Sequence, residues 1–334
     1  MSFIKLYVSS YHLGDNDIRY ASYGDGTWTA ETIDSFYSYG GDVQAYFTLD
    51  AGGEPHAVYR NRREDVFYAR RWSVGTWSIE TMIPEDGRWH SGFSLAFDSD
   101  GVLHVLHNEP DSTWHRWNDG AGWQAEAIST QRPYSGTSLV IDAAGNIHGT
   151  YALYGSSSLV YVTNESGTWD EIVVDWCGGD ADGDDARLML DNAGAVHIIY
   201  ADTSINGVRY ATNRSGLWEV AKFYPPRAWD GWFVSAAMGP DETIRVADYN
   251  DDDGSLFYLT NESGEWTRQR LAGLDYTGDQ PIFNGAGDVH TSIVPLYGPG
   301  IYYGSSDSGT FTLETVSTSL FGRLGQCRAG AGWI

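Results

Sequence analysis

The sequence predicts an all-β chain, a seven-bladed β-propeller of four-stranded antiparallel blades. A Gly-x-aromatic motif, or a close variant, recurs at steps of 45 to 49 residues along the 334-residue chain. A second aromatic residue or histidine precedes each motif ring by eight or nine residues, and an Asp-x-x-Gly turn ending in histidine recurs upstream. Such a fixed period indicates a repeat architecture, and the abundant glycines and aromatics are typical of short strands joined by tight turns.

The recurring residues mark strands B, C and D of each copy. The motif rings are Trp28, Trp77, Trp123, Trp169, Trp218, Trp266 and Phe311. The residues upstream of them are Tyr20, Tyr68, His115, Tyr161, Tyr210, Tyr258 and Tyr303. The turn between strands A and B ends at His56, His104, His148, His197 and His290, with Arg245 in the fifth copy. A residue repeated in most copies serves the blade, so we expect these histidines to be buried and satisfied by neighbouring backbone groups.

The repeat divides the chain into blades within one domain, residues 1–334. We expect blades at about 35–83, 84–129, 130–175, 176–224, 225–272 and 273–317. The seventh blade would combine a strand A from residues 318–334 with strands B, C and D from residues 1–34. That closure would leave no open sheet edge.

The chain is strongly acidic, with a formal net charge of −25. This charge excludes bare nucleic acid as a partner and disfavours anionic membrane surfaces. No apolar run is long enough for a membrane span or a signal peptide, yet we expect an extracellular or surface-associated protein rather than a cytoplasmic one. The two cysteines, Cys177 and Cys327, are too few for a disulfide framework, and one bridge between them stays open.

Three segments carry a resemblance to known families. GDGTW at residues 24–28 and SGTW at residues 166–169 resemble the neuraminidase-type repeats of sialidase-like propellers. The full Asp-box and the sialidase set of arginines with a Tyr–Glu pair are absent, so sialidase activity is not implied. Residues 86–117 resemble a segment of ulvan-lyase-type propellers, which implies His90 and His107 as catalytic histidines, with Tyr154 as the catalytic tyrosine.

The variable loops predict where individual chemistry lies. The A–B and C–D turns are alike in most copies, whereas the D–A and B–C connections differ, so we expect one face of the disc to carry the binding groups. Exposed rings beside polar groups suit sugar binding, and packing in the central channel is the alternative role for such rings. The rings of the D–A segments are Tyr37, Tyr39, Trp89, Tyr134, Trp176, Trp229, Trp232 and Tyr276.

Cations concentrate over three adjacent blades of this acidic protein. Their guanidinium groups could hold a carboxylate or sulfate on an acidic glycan, and ion pairing with nearby acids is the alternative. The cationic residues of this sector are Arg60, Arg62, Arg63, Arg88, His90 and Arg132.

These features favour a lectin-like protein that recognises a glycan, neutral or anionic. The candidate ligand-binding residues are Arg60, Arg62, Arg88, Trp89, Arg132, Tyr134, Trp229 and Trp232. The first alternative is a polysaccharide lyase that cleaves a uronate-containing glycan by β-elimination. Arg132 or Arg88 would then neutralise the uronate, while His90, His107 or Tyr154 would move protons. The second alternative is a non-catalytic structural or protein-interaction scaffold.

Acidic loops are the candidates for a metal site, although no cofactor is required. GGDADGDD at residues 178–185 could bind Ca²⁺ through Asp180, Asp182 and Asp184. A second acidic stretch, NDDDG, occupies residues 250–254. Solvated acidic loops are the alternative interpretation of both.

Overall fold

The computed structural model describes most of the chain between residues 17 and 317. The described ranges are 17–24, 27–35, 45–61, 65–156, 158–176, 186–202, 207–222, 230–239, 241–250, 255–273, 276–278, 282–283, 288–295, 301–306 and 310–317. Strands joined by turns and short loops make up this part of the chain, and it contains no helix able to cross a membrane.

In the described part of the chain, twenty-seven strands form seven antiparallel sheets in chain order. Sheet 1 has β1 (Asp17–Gly24) and β2 (Thr27–Ser35), and sheet 2 has β3 (Ala45–Leu49), β4 (Pro55–Arg60), β5 (Val66–Ser73) and β6 (Thr76–Ile83). Sheet 3 has β7 (Ser91–Phe97), β8 (Leu103–Glu109), β9 (Ser112–Asn118) and β10 (Trp123–Ser129), and sheet 4 has β11 (Pro133–Ile141), β12 (Ile147–Leu153), β13 (Ser158–Thr163) and β14 (Asp170–Trp176). Sheet 5 has β15 (Arg187–Leu190), β16 (Val196–Asp202), β17 (Gly207–Thr212) and β18 (Glu219–Lys222), and sheet 6 has β19 (Asp230–Met238), β20 (Ile244–Asn250), β21 (Ser255–Thr260) and β22 (Thr267–Gly273). Sheet 7 has β23 (Tyr276–Gly278), β24 (Ile282–Phe283), β25 (Val289–Pro295), β26 (Ile301–Ser305) and β27 (Thr312–Ser317).

The prediction of seven four-stranded blades is wrong for the described chain, in which six sheets have four or five strands. Within the described residues, the segment expected to contribute to a seventh blade forms the two-stranded sheet 1, in which β1 pairs with β2. Residues 1–16 and 318–334, which were expected to supply the other two strands, lie outside the described residues. The predicted tail strand also lacked the large apolar residues that make a buried strand stable.

The chain divides into two compact units, residues 1–88 with 271–334 and residues 89–270. In the second unit the first strands of sheets 3 to 6 contact one another in succession. Its cores are formed by apolar residues of neighbouring sheets, such as Leu159 of sheet 4 with Ile198 of sheet 5. In the first unit, Tyr20 of sheet 1 packs with Phe47 and Tyr59 of sheet 2.

Four of the five recurring histidines are buried, as expected, and His104 is partly buried, but the groups that contact their rings are side chains rather than backbone groups. His197 shows the arrangement, with Nδ1 2.6 Å from the hydroxyl of Tyr210 and Nε2 3.3 Å from the carboxylate of Asp191. The same histidine–tyrosine contact occurs at His56, His148 and His290. Each tyrosine lies on strand C and each histidine on strand B. The contacts from tyrosine to histidine and from histidine to aspartate therefore join these two strands to the A–B turn.

In the fifth copy an arginine replaces the neutral histidine and pairs with an aspartate of the same turn. Arg245 is buried and donates to both carboxylate oxygens of Asp241, at 3.3 and 3.2 Å. This hydrogen bonding, together with that of Thr243, lowers the pKa of Asp241 to about 2. Arginine therefore replaces histidine without leaving the turn carboxylate unpaired.

The asparagines of three C–D turns each accept a hydrogen bond from a backbone N–H group. The side-chain oxygens of Asn164, Asn213 and Asn261 accept the backbone N–H that opens strand B, at 2.7, 2.7 and 2.8 Å. These residues are also the asparagines of three Asn-x-Ser sequences. Turn structure alone accounts for their recurrence.

Candidate functional site

One end of sheet 4 carries a row of exposed aromatic residues. The strand register places Pro133 of β11 opposite Leu153 of β12, Leu153 opposite Ser158 of β13, and Ser158 opposite Trp176 of β14. Tyr134 and Tyr154 follow the first two of these positions directly. Because adjacent strands lie about 4.8 Å apart, the row extends roughly 14 Å across the sheet.

Tyr154 is the centre of this row. The guanidinium carbon of Arg132 lies 3.7 Å from the centroid of the Tyr154 ring. The ring of Tyr134 is near-parallel to that of Tyr154, with centroids 5.9 Å apart. A backbone hydrogen bond of 3.0 Å from the N–H of Tyr154 to the carbonyl of Arg132 holds the two loops together. The strands thus fix the three side chains into one stacked group, which we call the Tyr154 cluster.

The Tyr154 cluster faces solvent. Tyr134 is 44% exposed, Tyr154 is 50% exposed, and Arg132 is also exposed. Among the described residues, no carboxylate forms an ion pair with Arg132. Two aromatic surfaces and a guanidinium with unused donors therefore meet at one place, which is chemistry suited to a polyhydroxylated ligand or an anion.

Two further predicted aromatics flank the Tyr154 cluster in the second unit. Trp176 ends β14 of the same sheet and is 69% exposed, and Trp89 precedes β7 of sheet 3 and is 56% exposed. These two, with Tyr134, are the D–A segment rings whose side chains are described. All three are largely exposed to solvent.

Sheets 3 and 4 lie close together near the beginnings of β7 and β11, the strands that carry or follow Tyr134 and Trp89. A Cβ atom at Gly92 would lie 2.8 Å from the backbone nitrogen of Gly136. Thr137 donates its hydroxyl to the carbonyl of Gly92, and the hydroxyls of Ser94 and Thr137 lie 2.9 Å apart. Trp89 and Pro133 each lie three residues before the matching glycine, so both approach the same end of their sheets.

Sheet 3 brings the two predicted catalytic histidines together and buries them. His90 and His107 have ring centroids 5.5 Å apart, and each has 0% exposure. Burial, with the charges of Arg116 and His90, holds the pKa of His107 well below its usual value. Neither imidazole can contact a polysaccharide in this conformation, which disfavours the lyase interpretation.

The other candidate residues are distributed differently. Arg60 is buried in β4, and Arg88 is exposed with its backbone N–H bonded to Asp86 at 2.9 Å. Both belong to the first unit. Trp232 lies in β19, but its side chain is outside the described part, as are Arg62, Arg63 and Trp229. The calcium candidates Asp180, Asp182 and Asp184 and both cysteines also lie outside the described residues.

Sequence reasoning missed two residues beside the buried histidines. Glu109 has its Oε1 3.8 Å from Nδ1 of His90, and Arg116 donates from Nε to Nε2 of His107 at 2.9 Å. Glu109 ends strand B and Arg116 lies in strand C, where neither departs from an ordinary strand pattern. The available signal was the presence of His107 at a position that holds tyrosine in three other copies.

Comparison with known proteins yields similar folds but no sequence family. No protein-family model matches the chain, and no curated protein matches it. Among solved structures, AofleA from Arthrobotrys oligospora is 13% identical, with a TM-score of 0.56 over 87% of this chain and 89% of that chain. Aleuria aurantia lectin, described as a six-bladed β-propeller that recognises fucose, is 16% identical, with a TM-score of 0.56 over 87% of this chain and 97% of that chain. A protein of unknown function from Dyadobacter fermentans is 13% identical, with a TM-score of 0.56 over 81% of this chain and 94% of that chain.

These matches decide the fold class. The resemblance to sialidase-like and ulvan-lyase-type propellers gains no support from the three structures named above, of which Aleuria aurantia lectin is described as recognising fucose. The predicted all-β propeller is confirmed, and the predicted seven-bladed form is not. At this level of identity the similarity concerns the fold alone, and the chain has the β-propeller fold.

Proposed function

We propose that this protein is a carbohydrate-binding, lectin-like β-propeller whose glycan contacts the Tyr154 cluster. The observation that carries the proposal is the stack of Arg132 and Tyr134 on Tyr154, about half of whose surface stays open to solvent. The apolar face of a sugar ring packs on aromatic rings, while its hydroxyls bond to nearby donors. Both kinds of group are present within one cluster.

The position of the cluster favours a ligand of more than one sugar residue. Tyr134, Tyr154 and Trp176 follow the same end of sheet 4 from its first strand to its last. A single monosaccharide would leave the outer part of this row, at Trp176, without a contact. An oligosaccharide laid along the sheet end would use both Trp176 and the Tyr154 cluster.

The charge of the site favours an acidic glycan. Arg132 is an exposed cation in a chain of net charge −25, and within the described residues it has no acidic partner. Its stacking on Tyr154 fixes the guanidinium plane, which reduces the entropy lost when a carboxylate or sulfate binds in a bidentate manner. A neutral glycan would use the same rings without this ion pair.

The fold of the similar proteins supports a sugar as the ligand class. Aleuria aurantia lectin has been solved with α-methyl-L-fucoside, and it shares the propeller fold with this chain over 88% of the chain's length. A glycan ligand also agrees with an extracellular or surface-associated location, which we propose on the same grounds.

A glycan array with wild-type protein and two variants tests the proposal. We expect wild-type protein to bind a defined set of glycans and Tyr154→Ala to bind them about tenfold more weakly or worse, since the substitution removes the surface on which two side chains stack. Trp72→Ala is the matched control, because Trp72 is 67% exposed but lies at the C–D turn end of sheet 2. The proposal fails if no glycan binds, or if both variants bind like the wild type.

A further inference from the structure

Three buried side chains of sheet 3 converge outside the glycan site. His90 directly precedes β7, and His107 and Glu109 lie on the neighbouring strand β8. One potential ligand atom from each residue lies within 4.8 Å of the others. Nδ1 of His90 and Oε1 of Glu109 are 3.8 Å apart, and all three side chains are almost completely shielded from solvent.

This group departs from the pattern of the repeat. In three other copies a tyrosine occupies the position of His107, three residues after the recurring histidine. Two of these tyrosines donate their hydroxyls to an aspartate at the end of another sheet, which is a purely structural bond. The tyrosines are Tyr59, Tyr151 and Tyr200, and the aspartates are Asp34 and Asp175. In sheet 3 the residue at this position is His107, which lies beside His90 and Glu109.

His107 is prepared to act as a ligand. The ring of Phe93 stacks on it with centroids 5.4 Å apart, and Arg116 donates from Nε to its Nε2 at 2.9 Å. Because Arg116 donates to Nε2, the proton of the neutral ring resides on Nδ1. Within the described residues, that buried Nδ1 has no hydrogen-bond partner. A buried donor without a partner is destabilising, so the arrangement is unfavourable for the fold alone.

We propose that His90, His107 and Glu109 form a binding site for a divalent transition-metal ion, with Zn²⁺ as the ion of best fit. Two imidazoles and one carboxylate are an established ligand set for zinc, and a water molecule would complete four-fold coordination. Ligand bonds of about 2.0–2.1 Å place tetrahedral ligand atoms roughly 3.3 Å apart, so the 3.8 Å separation of His90 and Glu109 must contract by about half an ångström, and a separation as wide as 4.8 Å by about 1.5 Å. Small side-chain rotations provide such a change.

Arg116 competes with the metal. Binding through Nδ1 of His107 releases the proton from that nitrogen and requires a proton on Nε2 instead. A protonated Nε2 would face the N–H of Arg116, so the hydrogen bond between them must break. The positive charge of Arg116 also opposes a cation nearby. Metal loading and the bond between Arg116 and His107 therefore exclude one another, which predicts that loss of Arg116 strengthens metal binding.

A bound metal ion would link the segment that carries Trp89 to strand β8. His90 follows Trp89 directly, whereas His107 and Glu109 belong to the buried strand β8. A bond through the metal would tie the entry of β7 to β8 and hold the exposed indole in place.

The test uses the full chain, treated with EDTA and then titrated with Zn²⁺ by calorimetry and with Co²⁺ by visible absorption. We expect one Zn²⁺ per chain, a Co²⁺ spectrum typical of tetrahedral N/O ligation, and a higher Tm in the presence of Zn²⁺. Glu109→Gln keeps the shape of the side chain and removes its charge, and it should weaken binding about 10- to 100-fold. Glu126→Gln is the matched control, since Glu126 pairs with His115 outside this cluster.

Arg116→Gln should change the affinity for Zn²⁺ in the opposite direction from Glu109→Gln. We expect it to bind Zn²⁺ more tightly than the wild type, which a misfolded variant would not do. The proposal is overturned if the wild type binds no stoichiometric Zn²⁺, or if Glu109→Gln binds it as the wild type does, which would place the ion elsewhere. Glycan binding is measured independently of these titrations, so the two proposals can fail separately.

Discussion

Nδ1 of His104 lies 2.9 Å from Nε2 of His115, and the two rings are parallel within 2°. In the other copies the partner of the recurring histidine is a tyrosine hydroxyl. The second nitrogen of His104 lies 3.3 Å from Asp98, and that of His115 lies 3.0 Å from Glu126. Three contacts thus need a proton, but two neutral imidazoles supply only two.

His115→Tyr should relieve this proton shortage and stabilise the protein. The tyrosine hydroxyl would donate to Nδ1 of His104, whose other nitrogen would then donate to Asp98, while Glu126 would turn to solvent. We expect the free energy of unfolding in urea at pH 7.5 to rise by about 1 kcal/mol, as for other substitutions toward a repeat consensus.

His115→Phe is the control, because it keeps the aromatic ring and lacks the hydroxyl. It should be less stable than the wild type, since His104 would lose its partner. Equal stability of the tyrosine and phenylalanine variants would show that the hydrogen bond to His104 contributes nothing.

Stability should decline in mild acid because the scaffold histidines are buried in their neutral form. Desolvation lowers the pKa of His56 to about 4, and its Nδ1 is already engaged by the hydroxyl of Tyr68 at 2.5 Å. The pKa of His197 is also lowered, again by desolvation. Between pH 6.5 and about 4 the unfolded chain binds protons that the folded chain does not, so unfolding becomes more favourable as the pH falls.

Urea unfolding measured at pH 7.5, 6.5, 5.5 and 4.5 checks this dependence. Each such histidine contributes a slope of up to about 1.4 kcal/mol per pH unit within that window and nothing above it. A free energy of unfolding that stayed constant or rose from pH 6.5 to 4.5 would contradict neutral burial.

The scaffold could be predicted from the sequence because its interactions repeat. His197 and Tyr210 were both identified as landmarks, yet their hydrogen bond depends on the pairing of β16 with β17, which places Tyr210 opposite Ile199. Repetition reveals that a residue matters to the blade, but only the register reveals its partner. For that reason the expected backbone partners of the histidines were wrong.

The site was less predictable because it is not repeated. Tyr134 and Tyr154 were assigned to different hypotheses, one to sugar binding and one to catalysis. Their stacking depends on the pairing of Pro133 with Leu153 and on the irregular register that follows it in β11. The burial of His90 and His107 likewise depends on how sheet 4 packs on sheet 3. Nothing in the local sequence distinguishes a buried histidine from an exposed one.

Arg132→Gln should discriminate between an acidic and a neutral glycan ligand. If the ligand is acidic, the substitution removes a charge-assisted, bidentate contact, and we expect the Kd to rise about tenfold or more. The dependence of the Kd on salt concentration should also become weaker, because an exposed ion pair is screened by salt. Isothermal titration with a glycan identified on the array measures both effects.

Arg132→Lys is the matched control for geometry. Lysine keeps the charge but loses the planar fork and its stacking on Tyr154, so its affinity should fall between those of the wild type and Arg132→Gln. An unchanged Kd in Arg132→Gln at low salt would indicate that the bound glycan makes no ionic contact with this residue.

The close approach of sheets 3 and 4 predicts a large effect for one glycine substitution and a small effect for another. Gly92 and Gly75 have similar positive φ angles, 60° and 74°. A Cβ at Gly92 would lie 2.8 Å from the nitrogen of Gly136 and 3.1 Å from Nδ2 of Asn108, whereas a Cβ at Gly75 would meet nothing within 4 Å. Gly75→Ala should therefore cost about 1–2 kcal/mol, which is the conformational penalty alone. Gly92→Ala should cost about 1–3 kcal/mol more, because a backbone atom cannot move aside as a flexible side chain can.

Gly92→Ala should also weaken glycan binding. Gly92 contacts β11 two residues after Tyr134, so any separation of the sheets displaces the first residues of β11, which support the Tyr154 cluster. Urea unfolding and glycan titration of the two alanine variants measure the two consequences together. If Gly92→Ala were no less stable than Gly75→Ala, the sheets would have room to separate, and the rigid spacing that holds the cluster in place would be absent.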